Sequence, residues 1–356
     1  MRTIAFTPFV ALLAALAGLP AQAAPRTVAE VAQYEGADRQ AVLEAGAKKE
    51  GQVLLYTVGT QTQPVLEAFM KKYPFVRLGA FRGDASVVAR KVLEEYKAGR
   101  HTVDAIDMNT GGLQPLRAEG YLQPYKSPEL LAIRKESIEP SSLWALSYES
   151  YLSLGYNTKA IAEKDVPRTY EDLLDPKWQG KMAVPGTSTF PNWVGAILLE
   201  RGKEKGEEYL KRLARQKIRI YEISGRAVAN LVVSGEVPLS PVIYSSHMAN
   251  SIDDGASVDW VALGPVYSTV GGVALAAKSP NPHAGMLYVD FMLSREGQIM
   301  RQKLGYATAR TDLQNKEKPS KILYLSERPT YNEEFEAWQD TARRIFGRGE
   351  NRPGAK

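Results

Sequence analysis

The chain has 356 residues, of which 44% are hydrophobic, and it carries 45 Lys and Arg against 40 Asp and Glu for a net charge of +5. Basic and acidic residues alternate along the chain instead of clustering, which argues against a nucleic-acid partner. The absence of cysteine excludes disulfides, thiol nucleophiles, zinc-thiolate sites and a lipid anchor of the bacterial lipoprotein type.

The first 23 residues have the pattern of a cleaved secretory signal. Arg2 precedes an apolar run from Ile4 to Leu19, and the small residues Ala21-Gln22-Ala23 follow. We predict cleavage after Ala23, which places the mature chain in the periplasm. A membrane anchor is the alternative, but the apolar run is short for a membrane span and no flanking stop-transfer charges follow it.

The first third of the mature chain alternates short apolar runs with amphipathic helices. Strands are predicted at 53–57, 76–81 and 103–108, each followed by a polar loop, and helices begin at Pro64 and Val87. This alternation predicts an α/β fold with a mostly parallel sheet flanked by helices. Such sheets bind ligands at the carboxyl ends of their strands, so the loops after the three strands are expected on one edge.

The remaining chain continues this alternation. Leu143 to Tyr156 is apolar and aromatic without a helical period and predicts a long strand. Further strands are predicted at 182–185, 218–223, 239–244, 258–263 and 266–270, and helices at 193–201, 224–234, 282–294 and 332–346, while 109–112 and 245–247 are predicted loops. The tail 347–356 lacks apolar anchors and is predicted to be disordered.

A strand and a helix start flank the hydroxyl-rich segment Gly186-Thr187-Ser188-Thr189. The short strand 182–185 runs into this segment, and the helix follows it. Unpaired backbone N–H groups at a helix start favour negative charge, so the segment is a candidate anion-binding loop.

Four segments together resemble a known family. They are Tyr156-Asn157-Thr158-Lys159, Asp165-Val166-Pro167, the run from Asp172 to Lys181, and the run from Asp290 to Gln298. They resemble the extracellular solute-binding proteins of ABC importers, and within them the branch that contains periplasmic ferric-ion-binding and organophosphate- or phosphonate-binding receptors.

The resemblance implies a two-lobed periplasmic-binding-protein fold of type II, with two crossover strands as the hinge. The first lobe is expected to comprise 24–147 and 271–346, and the second lobe 148–270. The resemblance also implies a cleft between the lobes that closes on a solute, which permease subunits in the inner membrane then receive. A monomer without a cofactor is expected.

The candidate ligand-binding residues follow from the predicted strand ends and crossings. In the first lobe they are Thr57, Gly59, Thr60, Arg82 and Asn109; in the second lobe they are Thr187, Ser188, Ser224, Arg226, Tyr244, Ser245, Ser246 and His247; Tyr148 and Gly271 lie at the crossings. Arg82 and Arg226 are the foremost candidates, because a guanidinium group matches two oxygens of a carboxylate or phosphonate. The alternatives are a surface ion pair for either arginine and a helix N-cap for Ser224.

The residue types favour an anion over a metal ion. Ferric-binding relatives supply adjacent tyrosines at the second-lobe strand end, where this chain has Tyr244-Ser245-Ser246-His247. Two serines do not replace a phenolate, so we predict a phosphate ester, phosphonate or carboxylate as the ligand and no metal site. Ferric binding is the alternative.

Catalytic motifs do not appear in the sequence. It has no Gly-x-Ser-x-Gly, His-Glu-x-x-His or phosphate-binding Gly-Lys-Ser/Thr pattern, and we predict that the protein is not an enzyme. An anion-processing enzyme and a sensor acting on a membrane receptor remain as alternatives.

Overall fold

The structure is a computed structural model that describes residues 27–59, 63–316, 321–325, 328 and 330–347. The predicted signal sequence, the candidate Thr60 and the tail from residue 348 onward lie outside the described residues. No helix in the described ranges is long and apolar enough to cross a membrane.

Helices and strands alternate through most of the chain. The helices are α1 Val28–Gln33, α2 Arg39–Glu50, α3 Gln63–Lys72, α4 Ala85–Lys97, α5 Thr110–Ala118, α6 Thr189–Arg201, α7 Lys203–Ala214, α8 Gly225–Ser234, α9 Ser245–Asp253, α10 Pro282–Leu293, α11 Arg295–Lys303 and α12 Tyr331–Phe346. The strands are β1 Gln52–Thr57, β2 Arg77–Arg82, β3 Ala105–Asn109, β4 Leu122–Gln123, β5 Trp144–Asn157, β6 Ala183–Pro185, β7 Arg219–Tyr221, β8 Leu239–Tyr244, β9 Val258–Val261, β10 Val266–Ala276 and β11 Ile322–Leu323.

The first-lobe sheet has its strands in the order β2, β1, β3, β10, β5. The strands β2, β1 and β3 are parallel, whereas β10 runs antiparallel to β3 and to β5. Side chains of α2, α3 and α10 pack in one buried cluster and those of α4 and α5 in another, so both faces of the sheet are covered. The predicted α/β class is confirmed.

Two long strands connect this sheet to the second lobe. From Trp144 to Tyr151, β5 pairs with β10, and from Leu152 to Asn157 it pairs with β8 and β9. The strand β10 runs the other way and ends beside β3 in the first lobe. The expected pair of crossover strands is therefore β5 and β10.

The second lobe is built around the far half of β5. The parallel pair β6 and β7 joins β8 through a bridge between Met182 and Leu239. Its core contains Trp193 of α6 and Tyr209 of α7, and a second buried cluster contains Val228 of α8 and Met248 of α9.

The C-terminal helix corrects the predicted lobe boundary. The strand β11 pairs with the start of β10, and Leu325, Trp338 and Ala342 are buried in the second-lobe core. The helix α12 thus packs on the second lobe, although residues 271–346 were expected in the first lobe. Its apolar stripe predicts a packing helix but does not specify the partner. The chain therefore crosses between the lobes once more after α11.

Two predicted loops are helical. Asn109 caps α5, because its side-chain oxygen accepts a hydrogen bond from the Gly112 backbone N–H at 3.1 Å. Ser245-Ser246-His247 forms the first turn of α9, and α6 begins at Thr189 instead of after Asn192. Serine and asparagine favour loops and helix starts for the same reason, since their side chains bond to nearby backbone groups.

Candidate functional site

The candidates of the first lobe lie in one row across the sheet. Thr57 pairs with Arg82 on one side, and Gly271 pairs with Asn109 and with Tyr148. The Thr57 hydroxyl is buried and accepts a hydrogen bond from the Gly59 N–H at 3.0 Å, whereas Arg82 is exposed. The parallel strands β1, β2 and β3 therefore bring Thr57, Arg82 and Asn109 to one edge of the sheet, as expected. The antiparallel strand β10 places Gly271 beside Asn109.

Gly271 makes room for the ring of Tyr148. A Cβ atom at position 271 would lie 1.9 Å from Cε1 of Tyr148, and the pairing of β10 with β5 is irregular between Gly271 and Gly272. Tyr148 is only 8% exposed and lies at the crossing between the lobes. Its hydroxyl is therefore a candidate for ligand contact.

A buried arginine that the sequence did not single out supports this tyrosine. Arg301 of α11 is 2% exposed and forms an ion pair with Asp107 of β3. Its guanidinium carbon lies 4.9 Å from the ring centroid of Tyr148 and 5.7 Å from that of Tyr306, and the two rings are 4.9 Å apart. The arginine thus fixes both rings at the crossing.

Both phenols at the crossing are held in the protonated form. Burial, and then the charge of Asp107, raise the pKa of Tyr148. Burial likewise raises the pKa of Tyr306, against the opposing effect of the Arg301 charge. At neutral pH each phenol is therefore a hydrogen-bond donor and not a phenolate.

The candidates of the second lobe are connected to one another. Arg226 Nη1 donates to the backbone oxygen of His247 at 2.9 Å, and the imidazole packs edge-on against Tyr244 with 5.6 Å between centroids. The Tyr244 hydroxyl lies 3.1 Å from Oγ1 of Thr269 on β10. Ser224 caps α8 by accepting a hydrogen bond from the Ala227 N–H at 3.2 Å, so its N-cap role is present.

His247 is neutral at physiological pH. Burial, and then the positive charge of Arg226, lower its pKa to about 4. Its Nδ1 atom is buried and has no hydrogen-bond partner among the residues that the structure describes. The ring is therefore a neutral group with one unused nitrogen beside Arg226.

The two serines of the α9 start are mostly engaged within the protein. Ser245 is buried and its hydroxyl donates to the Gly305 carbonyl at 3.3 Å. Ser246 is also buried, with its hydroxyl 3.3 Å from that of Ser150 on β5. These contacts tie α9 to the hinge region, a role that short polar side chains do not reveal in the sequence.

The hydroxyls of the predicted anion-binding loop separate into two groups. Thr187 and Ser188 are exposed at the start of α6. Thr189 is buried, and its side chain lies beside the Tyr244 hydroxyl. Thr189 therefore belongs with the connected group of Arg226, His247 and Tyr244, although it was named only as the end of the loop.

Carboxylate and histidine side chains are the potential metal ligands in the part of the chain that the structure describes. Throughout the described ranges, no three His, Cys, Asp or Glu side chains come together as a group that could hold a metal ion. The buried carboxylates at the crossing are paired with cations instead, Asp107 with Arg301 and Glu149 with Arg134.

The two lobes, the crossover strands and the polar groups facing the crossing define a two-lobed binding protein. Residues 105–333 match the model of a family described as bacterial extracellular solute-binding protein. This protein belongs to that family, which confirms the resemblance noted in the sequence and the class of transport receptor.

Relatives with known sequences or structures match this chain over most of its length. An uncharacterised protein of Haemophilus influenzae is 26% identical over 283 residues, which cover 74% of this chain and 79% of that protein. Iron-bound HitA from Pseudomonas aeruginosa is 23% identical with a TM-score of 0.66, covering 82% of this chain and 99% of HitA. The periplasmic binding protein AfuA from Actinobacillus pleuropneumoniae, solved with fructose-6-phosphate, is 21% identical with a TM-score of 0.58, covering 83% and 97%. At these identities, the two structures establish the shared fold.

Proposed function

We propose that the protein is a periplasmic receptor that captures a small organic anion between its lobes and delivers it to the permease of an ABC transporter. One observation carries the choice of an anion. Arg82 at the first-lobe edge and Arg226 in the second lobe have no carboxylate partner among the described residues, and Arg226 donates to the His247 carbonyl instead.

Charge-assisted hydrogen bonds supply the affinity in this proposal. A phosphate ester, phosphonate or carboxylate accepts from guanidinium, phenol and hydroxyl groups simultaneously, and such bonds strengthen as closure excludes water. Contacts to both lobes stabilise the closed form more than the open form, so binding shifts the population toward closure. Delivery to a permease follows from the transport role of the family.

A ferric ion is the competing ligand, because iron-bound HitA shares the fold. Ferric iron prefers charged phenolate and carboxylate oxygens. Burial raises the pKa of Tyr148, Tyr244 and Tyr306, and the carboxylate of Asp107 is already paired with Arg301. The fructose-6-phosphate bound to AfuA is an anion of the class proposed here.

Calorimetric titration of the mature chain tests the proposal. The ligands are sugar phosphates, phosphonates, carboxylates, sulfonates and ferric citrate. We expect one-to-one binding of at least one organic anion, recovered unchanged after incubation, and weaker binding in Tyr148→Phe but not in Tyr156→Phe, a buried tyrosine at the far end of β5. Binding of ferric citrate without any of the iron-free anions would contradict the proposal, and turnover of the anion would favour an enzyme.

A further inference from the structure

Five cationic side chains form an exposed patch at one end of the second lobe, which we call the basic patch. It consists of Lys181, just before β6, and of Lys211, Arg212, Arg215 and Lys217 at the end of α7 and in the turn that follows. None of the five forms an ion pair with a residue that the structure describes. The segments 176–181 and 211–219 contain no Asp or Glu, so the patch departs from the alternation of charges along the rest of the chain.

Backbone pairing brings the two segments of the basic patch together. The Gly180 N–H donates to the Gln216 carbonyl at 2.7 Å, and β6 and β7 then pair in parallel. Lys181 and Lys217 therefore lie side by side at the amino ends of these two strands. The patch is built by the fold of the second lobe and not by one flexible segment.

The basic patch and the candidate anion site lie at opposite ends of the same two strands. The candidates Thr187 and Ser188 follow the carboxyl end of β6, and Ser224 and Arg226 follow that of β7. A partner bound to the patch therefore leaves these candidate residues accessible.

Acidic side chains at the margin do not neutralise the patch. Glu171 pairs with Arg201 at 2.7 Å, and Asp175 lies 3.9 Å from Lys177, which is outside the patch. Glu208 is exposed one turn earlier on α7 and reduces the local charge from +5 to +4, as five cations minus one carboxylate. Since the net charge of the whole chain is +5, most of the excess is concentrated here.

The side chains of the patch favour a diffuse anionic surface over a protein partner. Three of the five are lysines, which are depleted at protein–protein interfaces, where aromatic residues and Met are enriched. The exposed large hydrophobic side chains of the described residues are Leu131 and Ile252, and neither belongs to the patch. A patch of flexible cations without an apolar centre matches an array of lipid phosphates.

We propose that the basic patch binds the anionic phospholipid headgroups of a membrane surface. Several cations then act together, and the attraction falls off within a Debye length of the surface. Attachment of this kind is reversible and needs no lipid anchor. It confines the protein near the membrane whether or not the interlobe cleft holds a ligand, so the proposal does not depend on the function proposed above.

Cosedimentation with vesicles tests this surface. The chain from residue 24 onward is mixed, without any solute, with vesicles of phosphatidylglycerol and phosphatidylcholine in equal parts, or with vesicles of phosphatidylcholine alone. We expect binding to the anionic vesicles only. Binding should be lost when NaCl rises from about 0.1 M to about 1 M, which shortens the Debye length from about 10 Å to about 3 Å.

A double substitution within the patch gives the decisive comparison. Lys211→Gln with Arg215→Gln should weaken binding to the anionic vesicles about 25-fold, at about fivefold for each cation removed. The matched control is Lys71→Gln with Lys97→Gln, which removes two exposed cations of the first lobe and should change the affinity less than twofold. All four side chains are exposed, and circular dichroism checks the fold of both variants.

Three results would overturn the proposal. One is equal binding to both kinds of vesicle, and another is an equal loss of affinity in the two double variants. The third is binding of poly-L-glutamate that the patch substitutions weaken, without binding to phosphatidylglycerol, which would assign the patch to an acidic protein partner.

Discussion

The two sides of the proposed interlobe cleft present their polar groups in different ways. On the first-lobe side, Arg82 is exposed without a partner in the described ranges, and Tyr148 is a buried side chain at the crossing. On the second-lobe side, Arg226 donates to the His247 carbonyl and Tyr244 contacts Thr269. The first-lobe side therefore offers an exposed arginine without a partner among the described residues, whereas hydrogen bonds already connect the groups of the second-lobe side.

Because of this difference, substitutions on the two sides are expected to affect ligand affinity and protein stability to different extents. A hydrogen-bonded surface loses little side-chain entropy when a ligand arrives, so the second-lobe side is preorganised. The same hydrogen bonds also hold the lobe together. Substitutions on the first-lobe side should therefore alter mainly affinity, and those on the second-lobe side should alter both affinity and stability.

The largest effect on stability is expected for the Arg301–Asp107 ion pair, which holds Tyr148 on the first-lobe side. Arg301→Ala should lower the free energy of unfolding by about 3–5 kcal/mol, because it leaves Asp107 buried without its cation. Urea denaturation measures this change. Arg295→Ala, an exposed arginine of the same helix, should change stability by less than about 0.5 kcal/mol. Equal stability of the two variants would show that the buried ion pair does not support the crossing.

Arg82 and Arg226, the two arginines assigned to the proposed cleft, sharpen the comparison directly. Arg82→Ala and Arg226→Ala should each weaken binding of the tightest anion by about 1.5–3 kcal/mol, the loss of one charge-assisted bond. Only Arg226→Ala should also destabilise the protein, by about 0.5–1.5 kcal/mol, since it loses the bond to His247. Calorimetry and urea denaturation give the two quantities.

Arg90→Ala provides the matched control for these arginines, because Arg90 is exposed on α4. It should leave both affinity and stability unchanged. Stability losses of the same size in Arg82→Ala and Arg226→Ala would remove the distinction between the two sides.

Gly271→Ala tests the close contact at the crossing. The added methyl group would lie 1.9 Å from the Tyr148 ring and must displace it, with an expected stability loss of about 1–3 kcal/mol and weaker anion binding. Gly79→Ala on the edge strand β2 meets its nearest atom, Leu54 Cδ1, at 3.3 Å and should be milder. Thermal denaturation with calorimetry compares them, and similar values would contradict the assigned role of Gly271.

The pH dependence of stability tests the second-lobe side. The pKa of folded His247 is about 4, below the unfolded value of about 6.5, so only the unfolded chain gains a proton as the pH falls from about 6.5. This group should therefore lower stability progressively down to about pH 4 and no further, by about 3 kcal/mol in total.

His247→Gln removes that titration, so the difference in unfolding free energy between wild type and variant should shift in the variant's favour between pH 7 and pH 4. His101→Gln is the control for loss of any histidine. A pH-independent difference for His247→Gln would mean that the ring titrates normally in the folded protein.

The local pattern of the sequence was sufficient for much of the fold. Apolar runs ended by glycine and proline predicted β1, β2 and the helices after them, and the aperiodic aromatic run from Leu143 predicted β5. These signals work because they depend on neighbours within a few residues.

The buried residues that hold the candidate site in position could not be predicted from local sequence patterns. Arg301 lies 194 positions from Asp107, in a helix whose mixed charges resemble an exposed surface. Tyr306 likewise follows a glycine in an unremarkable turn. Their burial arises only from tertiary packing, whereas Arg82 and Arg226 were identifiable by residue type at predicted strand and helix ends.

Small-angle X-ray scattering most directly tests the claim that two hinged lobes close on an anion. The chain from residue 24 onward is measured alone and with the organic anion that calorimetry identifies. We predict a smaller radius of gyration at saturation in wild type, and a reduced change at the same anion concentration in Arg82→Ala. An unchanged radius at full saturation, or a decrease with ferric citrate alone, would contradict the account.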